Sequence, residues 1–311
     1  MRPPRGPRIA LVLAGGAARG AYEVGAIHYI LHDVARALGH DVPLDILCGT
    51  SVGALNVCAL AAFADEPRAR ATRLVAQWRS LELAKVIRLD GRAALSTVRT
   101  LFRQLRGAPA LVTAHGGLLD VSGIRDLLGR AIPFGRIQEN LRAGHLSAVT
   151  VSTTHVTPGR TIVFAQRADS GLPAWGRDTT IIPRAATLRL EHALASAAIP
   201  LLFPAVSIDD EYYCDGGLRQ NVPLSPARRL GADGLIVVNP RFIPSEPKTP
   251  AGSPNSTHHI PSPLFLLGKA LNALLLDRID NDLDRLDRIN RILWAGERRY
   301  GPSFVSELNR E

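Results

Sequence analysis

Residues 44–63 read LDILCGTSVGALNVCALAAF, a segment in which two apolar runs flank a serine framed by glycines. Leu44–Cys48 is a short apolar run typical of a buried strand, and Val52–Phe63 is an apolar, alanine-rich run typical of a helix. A GxSxG pattern at residues 49–53 lies between the two. Its glycines let other backbone approach closely, so that Ser51 can stand clear on a strained strand-to-helix turn, as a nucleophilic serine requires.

The same alternation of strand and helix begins the chain. Arg8–Ala14 (RIALVLA) is an apolar run of the strand type, and residues 19–38 carry apolar side chains near helical spacing, with Gly39 as the predicted C-cap. Strand–helix–strand–helix order indicates a parallel α/β sheet. Further elements are predicted as a helix at 188–198, strands at 148–154, 161–165 and 234–239, and a hairpin of 205–208 and 212–214 with its turn at 209–211.

A second glycine-rich turn, GGAARG at residues 15–20, also lies between a strand and a helix. Such turns aim backbone N–H groups at an anion, either a dinucleotide pyrophosphate or the oxyanion of a tetrahedral intermediate. Ala17 stands where the second glycine of a dinucleotide fingerprint belongs, and Cys48-Gly49 occupies the place of the acidic residue that binds ribose. Neighbouring βα turns share one edge of a sheet, so the pattern favours an oxyanion hole beside Ser51.

The base that would activate Ser51 is less evident from the residues. None of the nine histidines lies in a constrained motif, although His258 and His259 follow Ser51 and Asp215 in the chain order of an α/β-hydrolase triad. Asp215 ends a short predicted strand and precedes two glycines, but an Asp-Gly-Gly sequence by itself is usually only a turn. The residues alone therefore leave two candidates for the base, Asp215 and a histidine of the pair His258 and His259.

Taken together, these motifs resemble the patatin-like phospholipase family, over about residues 8–240. The resemblance rests on the order and spacing of four segments: Gly15–Gly20, Gly49–Gly53 with its extension Ala54-Leu55-Asn56, Ala195–Pro204 (ASAAIPLLFP), and Asp215-Gly216-Gly217. It implies an α/β fold, a three-layer sandwich around a mainly parallel sheet. It also implies a serine acyl-ester hydrolase of lipids, of phospholipase A or lysophospholipase type, that forms an acyl-enzyme and needs no metal or organic cofactor.

The resemblance also assigns roles to individual residues. Ser51 is the expected nucleophile and Asp215 the proton acceptor, in a dyad without histidine. The N–H groups of Gly15, Gly16 and Ala17 are expected to form the oxyanion hole, although many family members carry glycine where this chain has Ala17. The residues expected to support these turns are Arg19, Gly20, Gly49, Gly53, Gly216 and Gly217.

Charge divides the 311-residue chain into regions. Within the predicted hydrolase domain, residues 67–110 form a basic helical insertion with ten Arg or Lys against Glu82 and Asp90. This charge suggests an anionic partner, and since no aromatic stacking set accompanies it, a membrane surface is preferred to nucleic acid. Residues 241–263 read as a linker rich in proline and serine. Within 264–311 we predict an amphipathic helix from about 264 to 295 that packs on the domain or extends from it.

The cellular location follows from what the sequence contains. No stretch of 18 apolar residues occurs, the N-terminus lacks the pattern of a secretory signal, and the three cysteines show no paired framework. We expect a cytoplasmic enzyme that contacts anionic membranes transiently. The alternatives to a lipid hydrolase with a Ser–Asp dyad are an esterase with a Ser–His–Asp triad, a non-catalytic membrane-binding protein of the same fold, and a nucleotide-binding enzyme.

Overall fold

A mixed sheet organises the part of the chain that the structure, a computed structural model, describes: residues 6–81, 88–89, 119–169, 171–173, 175, 180–240 and 279–304. Its strands are β1 (Ile9–Leu13), β2 (Ile46–Thr50), β5 (Ala148–His155), β6 (Thr161–Gln166), β7 (Ile181–Ala185), β8 (Val206–Ile208), β9 (Glu211–Asp215) and β10 (Gly234–Val238). The spatial order is β10-β1-β2-β5-β6-β7, with β9 beside β5 and β8 beside β9. A separate antiparallel pair consists of β3 (Arg88–Leu89) and β4 (Leu119–Asp120).

Strands β10, β1, β2 and β5 pair in parallel, and β6 pairs in parallel with β7. The antiparallel pairs are β5 with β6, β5 with β9, and β8 with β9. All five residues of β2 are buried, so both faces of the sheet are covered there, as its unbroken apolar sequence requires. The predicted α/β fold, a sandwich around a mainly parallel sheet, is confirmed.

Helices flank this sheet. They are α1 (Gly20–Tyr29), α2 (Ala35–Leu38), α3 (Val52–Ala62), α4 (Ala69–Arg79), α5 (Ser122–Ala131), α6 (Gly135–Ala143), α7 (Leu190–Ser196) and α8 (Leu224–Arg229). A π-helical turn, Ile30–Val34, joins α1 to α2, and the left-handed Gly39 (φ 75°) ends them, as predicted. Helix α3 is apolar except for Asn56, because it packs against β1, β2 and β5 as well as helices α1, α4, α6 and α7.

Most strand predictions are confirmed within two residues, with instructive differences. Strand β2 continues to Thr50, so the strand ends directly at Ser51. The hairpin turn is two residues rather than three: Asp209 and Asp210 both have positive φ (49° and 64°), the conformation of a tight hairpin turn, and Glu211 already belongs to β9.

Strands β4 and β7 and helices α5, α6 and α8 were not predicted. Pro183 lies in the middle of β7, and a proline argues against a central strand because it has no N–H to donate. The structure resolves this conflict by placing β7 at the edge of the sheet, where its partner among the described strands is β6. In the basic segment 67–110, α4 confirms a helix, whereas β3 is extended; the stripe predicted around residues 98–106 lies outside the described residues.

The chain divides into two compact units, Met1–Gly252 and Ser253–Glu311. The second contains helix α9 (Ile279–Tyr300), which continues five residues past the predicted end at 295. Residues 264–278 of the predicted helix and the predicted linker at 241–263 lie outside the described residues. No described helix is both long enough and apolar enough to cross a bilayer.

Candidate active site

Two strands of opposite direction end against each other along β5. Strand β2 runs parallel to β5, and its last residue, Thr50, pairs with Ser152. Strand β9 runs antiparallel to β5, and its last residue, Asp215, pairs with Thr153, the very next position. The residue that follows β2 therefore meets the residue that ends β9. In this way β5 brings Ser51 beside Asp215.

Ser51 occupies a strained turn between β2 and α3. Its φ of 55° and ψ of −125° are disfavoured for a residue with a side chain, so the surrounding structure must hold it there. One restraint is Ser196, whose Oγ accepts a 2.8 Å hydrogen bond from the Ser51 N–H and donates a 2.6 Å bond to the carbonyl of Ser152. Ser51 is buried, with 5% of its surface exposed.

The fold leaves no room for side chains at the two glycines of the GxSxG pattern. A Cβ added to Gly53 would lie 2.5 Å from the carbonyl oxygen of Leu13, and one added to Gly49 would lie 2.4 Å from the carbonyl oxygen of Gly53. Both distances are too short for a non-bonded contact between a carbon and an oxygen atom. The backbone of α3 therefore packs directly against β1 and β2, and this close approach lets the turn project Ser51.

Asp215 receives hydrogen bonds at both carboxylate oxygens. Ser51 Oγ donates to Oδ2 at 2.7 Å, and the N–H of Gly217 donates to Oδ1 at 2.7 Å. The side chain is only 1% exposed, and burial raises its pKa to about 6, with these two hydrogen bonds limiting the rise. Gly216 packs so closely that an added Cβ would lie 2.2 Å from the carbonyl oxygen of Ser152. The result is a carboxylate that is ionised near neutral pH and aimed at a serine hydroxyl.

The glycine-rich turn lies beside Ser51: a Cβ added to Gly15 would be 3.2 Å from the Ser51 Cβ. The prediction that Gly15 is an oxyanion donor is corrected, because its N–H already donates to the carbonyl of Asn221 at 3.0 Å. Within the described part of the chain, no acceptor faces the N–H groups of Gly16 and Ala17. Ala17 adopts the left-handed region (φ 49°) despite its methyl group.

Arg19 closes this turn. Its backbone N–H donates to the carbonyl of Gly16 at 3.0 Å, and its Nε makes a longer contact of 3.4 Å with the same oxygen. Gly20, the next residue, begins α1 where Val52 and Trp78 pack against it. The turn is therefore held at both ends, by Asn221 at Gly15 and by α1 at Gly20.

The described histidines do not take the place of Asp215. His192 is buried in the core, where its Nδ1 accepts a 3.0 Å bond from the N–H of Arg189 and its ring packs edge-on against Phe164. Burial lowers the pKa of His192 to about 4. His258 and His259, the histidines of the rival triad, lie outside the described residues. Among the residues that are described, the partner of the Ser51 hydroxyl is Asp215.

Two site residues, Ser196 and Asn221, were not singled out from the sequence. Ser196 binds a residue 145 positions away and Asn221 one 206 positions away. A weak signal existed for Ser196, because a hydroxyl lies within the otherwise apolar run Ala195–Ile199, and a buried polar group needs a partner. No comparable signal marks Asn221, which follows the turn after Asp215.

The chain is similar to a known protein family and to a curated bacterial protein. The family described as patatin-like phospholipase matches residues 11–228. The uncharacterised protein YjjU of Escherichia coli K12 is 26% identical over 247 residues, a match that covers 79% of this chain and 55% of YjjU. The chain thus spans about half the length of this curated relative.

Two solved structures are also similar. VipD from Legionella pneumophila aligns with a TM-score of 0.42 at 17% identity, over 74% of this chain and 49% of VipD. The heterodimeric complex ExoU–SpcU from the type III secretion system of Pseudomonas aeruginosa aligns with a TM-score of 0.32 at 16% identity, over 90% of this chain and 52% of the matched chain.

Proposed function

Because the chain belongs to the patatin-like phospholipase family, we propose that it is a serine acyl-ester hydrolase of lipids, of phospholipase A or lysophospholipase type. One observation carries the proposal: the strained Ser51 donates a 2.7 Å hydrogen bond to the buried carboxylate of Asp215. A hydroxyl held by a base at such a turn has the arrangement that nucleophilic catalysis needs.

In the first half of the reaction, Asp215 accepts the proton of the Ser51 hydroxyl while Ser51 Oγ attacks the carbonyl carbon of a fatty-acyl ester. The carbonyl oxygen becomes an oxyanion, which the N–H groups of Gly16 and Ala17 stabilise; one such donor is worth roughly 3–4 kcal/mol in a comparable site. Collapse of the intermediate breaks the ester bond. The alcohol leaves with the proton from Asp215, and the acyl group stays on Ser51.

In the second half, a water molecule replaces the alcohol. Asp215 takes a proton from the water as its oxygen attacks the acyl-enzyme, and a second oxyanion forms in the same position. When that intermediate collapses, the proton returns to Ser51 and the fatty acid departs. One carboxylate therefore serves both halves, and histidine has no part in either.

The direct test compares variants on a p-nitrophenyl acyl ester. We expect Ser51→Ala and Asp215→Asn to lose hydrolysis, while Ser147→Ala, in which another partly buried serine loses a hydrogen bond far from the site, keeps it. Products from a mixed lipid extract, compared by mass spectrometry between wild type and Ser51→Ala, would identify the head group and acyl position. A histidine variant as inactive as Ser51→Ala would contradict the dyad and favour the triad.

We also propose transient contact with an anionic membrane, supported by helix α9. Its described exposed apolar side chains are Ile289, Ile292, Trp294 and Tyr300. Five arginines balance five acidic residues over the whole helix, but the basic charge is concentrated in its last part, where residues 288–300 hold four arginines against Glu297. A basic amphipathic segment with an aromatic residue can lie in the plane of a membrane surface. The expected outcome is sedimentation with vesicles that contain phosphatidylserine, weakened in Trp294→Asp and unchanged in Tyr29→Asp, an equally exposed aromatic on α1. Vesicle binding without any turnover by the wild type would favour a non-catalytic protein.

A further inference from the structure

Three polar side chains from three helices form a hydrogen-bonded chain inside the protein. Asn56 Nδ2 donates to Glu23 Oε2 at 2.8 Å, and Trp78 Nε1 donates to Asn56 Oδ1 at 2.9 Å. Glu23 is fully buried and Asn56 is 1% exposed. A buried polar chain of this kind fits one arrangement of the helices, because any displacement leaves donors and acceptors unpaired in an apolar interior.

The helices that this chain joins are the ones that follow the two catalytic turns. Helix α1 begins at Gly20, directly after the turn that carries the oxyanion donors, and Glu23 lies in its first turn. Helix α3 begins directly after Ser51, and Asn56 lies in its second turn. The hydrogen bond between Glu23 and Asn56 therefore connects the oxyanion turn to the nucleophile through two short, rigid lengths of helix.

Trp78 reinforces the same junction from α4. A Cβ added to Gly20 would lie 2.3 Å from a methyl carbon of Val52 and 2.8 Å from two ring carbons of Trp78. Both side chains thus fill the space beside the start of α1. The indole ring packs where α1 and α3 begin, and its N–H ends the hydrogen-bonded chain at Asn56.

Stability alone does not account for an acid at this position. The second oxygen of Glu23, Oε1, is buried and has no hydrogen-bond partner among the described residues. Burial raises the pKa of Glu23 to about 8, although the bond from Asn56 opposes the rise. Apolar residues of similar volume often replace buried polar sets without loss of stability. The position of the chain between the two turns offers a functional reason for it.

We propose that Glu23 and Asn56 are positioning residues of the hydrolytic reaction, which hold the oxyanion turn at a set distance from Ser51. The inference rests on the proposed function. Neither residue touches the reacting atoms; each acts through the helix that carries it. Without the bond between them, α1 can shift relative to α3, and the N–H groups of Gly16 and Ala17 then miss the developing oxyanion.

The test uses the full chain and a p-nitrophenyl acyl ester. In Glu23→Leu and Asn56→Leu we expect kcat to fall by about 10- to 100-fold, the loss typical of a misplacement near 1 Å, with KM little changed. Glu23→Gln keeps an acceptor for Asn56 Nδ2 and should restore kcat. Should the leucine variants fail to fold, Trp78→Phe removes the indole N–H together with one ring of the side chain, and about a fivefold fall in kcat is expected.

The matched control is Asn140→Leu. Asn140 is also buried, and its Nδ2 donates to the carbonyls of Ala61 and Ala62 at the far end of α3, away from both catalytic turns. A lipid-like trifluoromethyl ketone supplies a second readout, since its adduct with Ser51 carries an oxyanion. Its inhibition constant should rise by the factor by which kcat/KM falls in Asn56→Leu, and should not rise in Asn140→Leu.

Two results would overturn the inference. One is wild-type kcat in folded Glu23→Leu or Trp78→Phe. The other is an equal loss of kcat in Asn56→Leu and Asn140→Leu, which would assign the chain to general stability. An inactive wild type is a different result, because it refutes the proposed function itself.

Discussion

Gly15 and Asn221 hold each other by hydrogen bonds in both directions, although 206 positions separate them. The N–H of Gly15 donates to the carbonyl of Asn221 at 3.0 Å, and Asn221 Nδ2 donates to the carbonyl of Gly15 at 3.2 Å. This pair ties the oxyanion turn to the segment that follows Asp215. The glycine-rich turn at residues 15–20 and the segment that follows Asp215 are thus joined by two hydrogen bonds.

Replacement of Asn221 by leucine should therefore loosen the oxyanion turn. Leucine has a similar volume but cannot donate to Gly15, so we expect a lower kcat, by about tenfold, with little change in KM. Steady-state kinetics on a soluble acyl ester would measure this. If Asn221→Leu raised KM at constant kcat, the residue would instead belong to substrate binding.

Ser196→Ala should weaken both catalysis and the fold. The Ser51 N–H would lose its acceptor in a buried position, which costs about 1–3 kcal/mol of unfolding free energy, and the strained backbone of Ser51 would lose a restraint. Urea unfolding and kcat measure the two effects. Ser147→Ala is the control, because it removes a serine hydrogen bond without leaving an N–H of the nucleophile unpaired.

The acid side of the pH profile should report Asp215. Only the ionised carboxylate can accept the Ser51 proton, and burial raises its pKa from the ordinary 3.8 to about 6. We expect kcat/KM to rise with pH and to reach half its plateau near pH 6. Initial rates between about pH 3 and 8 would measure this, a range that spans both the ordinary and the raised carboxyl pKa. Half-maximal activity near the ordinary value would contradict the role of a buried base.

Glu23→Gln should make the protein more stable at neutral and alkaline pH. The pKa of Glu23 is about 8 in the folded chain and 4.5 as a free side chain, so unfolding releases its proton at intermediate pH. Stability is then lost as pH rises from about 4.5 to 8, by up to about 5 kcal/mol in total, and glutamine avoids this loss. Urea unfolding of both proteins at several pH values measures the difference. A constant difference across that range would contradict the raised pKa.

Ser51 and Asp215, the proposed catalytic pair, carry local signals in the sequence. Ser51 and Asp215 are each marked by adjacent glycines, and the structure explains why no side chain fits at Gly53 or Gly216. The buried strands β1 and β2 were equally clear, since a strand covered on both faces is apolar throughout. The Ser51–Asp215 contact was an expectation from family resemblance, and the meeting of β2 and β9 along β5 supplies its geometric reason.

Features that depend on residues far away in the chain could not be predicted from the sequence alone. The N–H of Gly15 looked available until the fold brought the carbonyl of Asn221 to it. Strand β7 was missed because Pro183 forbids a central strand, and only the completed sheet reveals an edge position. In both cases the deciding atom belongs to a part of the chain far away in sequence.

The head-on meeting of β2 and β9 has a consequence for the cell that makes this protein. A ribosome has released Ser51 and its turn long before residue 215, which follows 164 positions later, is synthesised. Until β9 docks beside Thr153, the serine has no carboxylate to take its proton. In the proposed mechanism, the protein therefore hydrolyses no lipid while it is being translated and gains activity only when its sheet is complete.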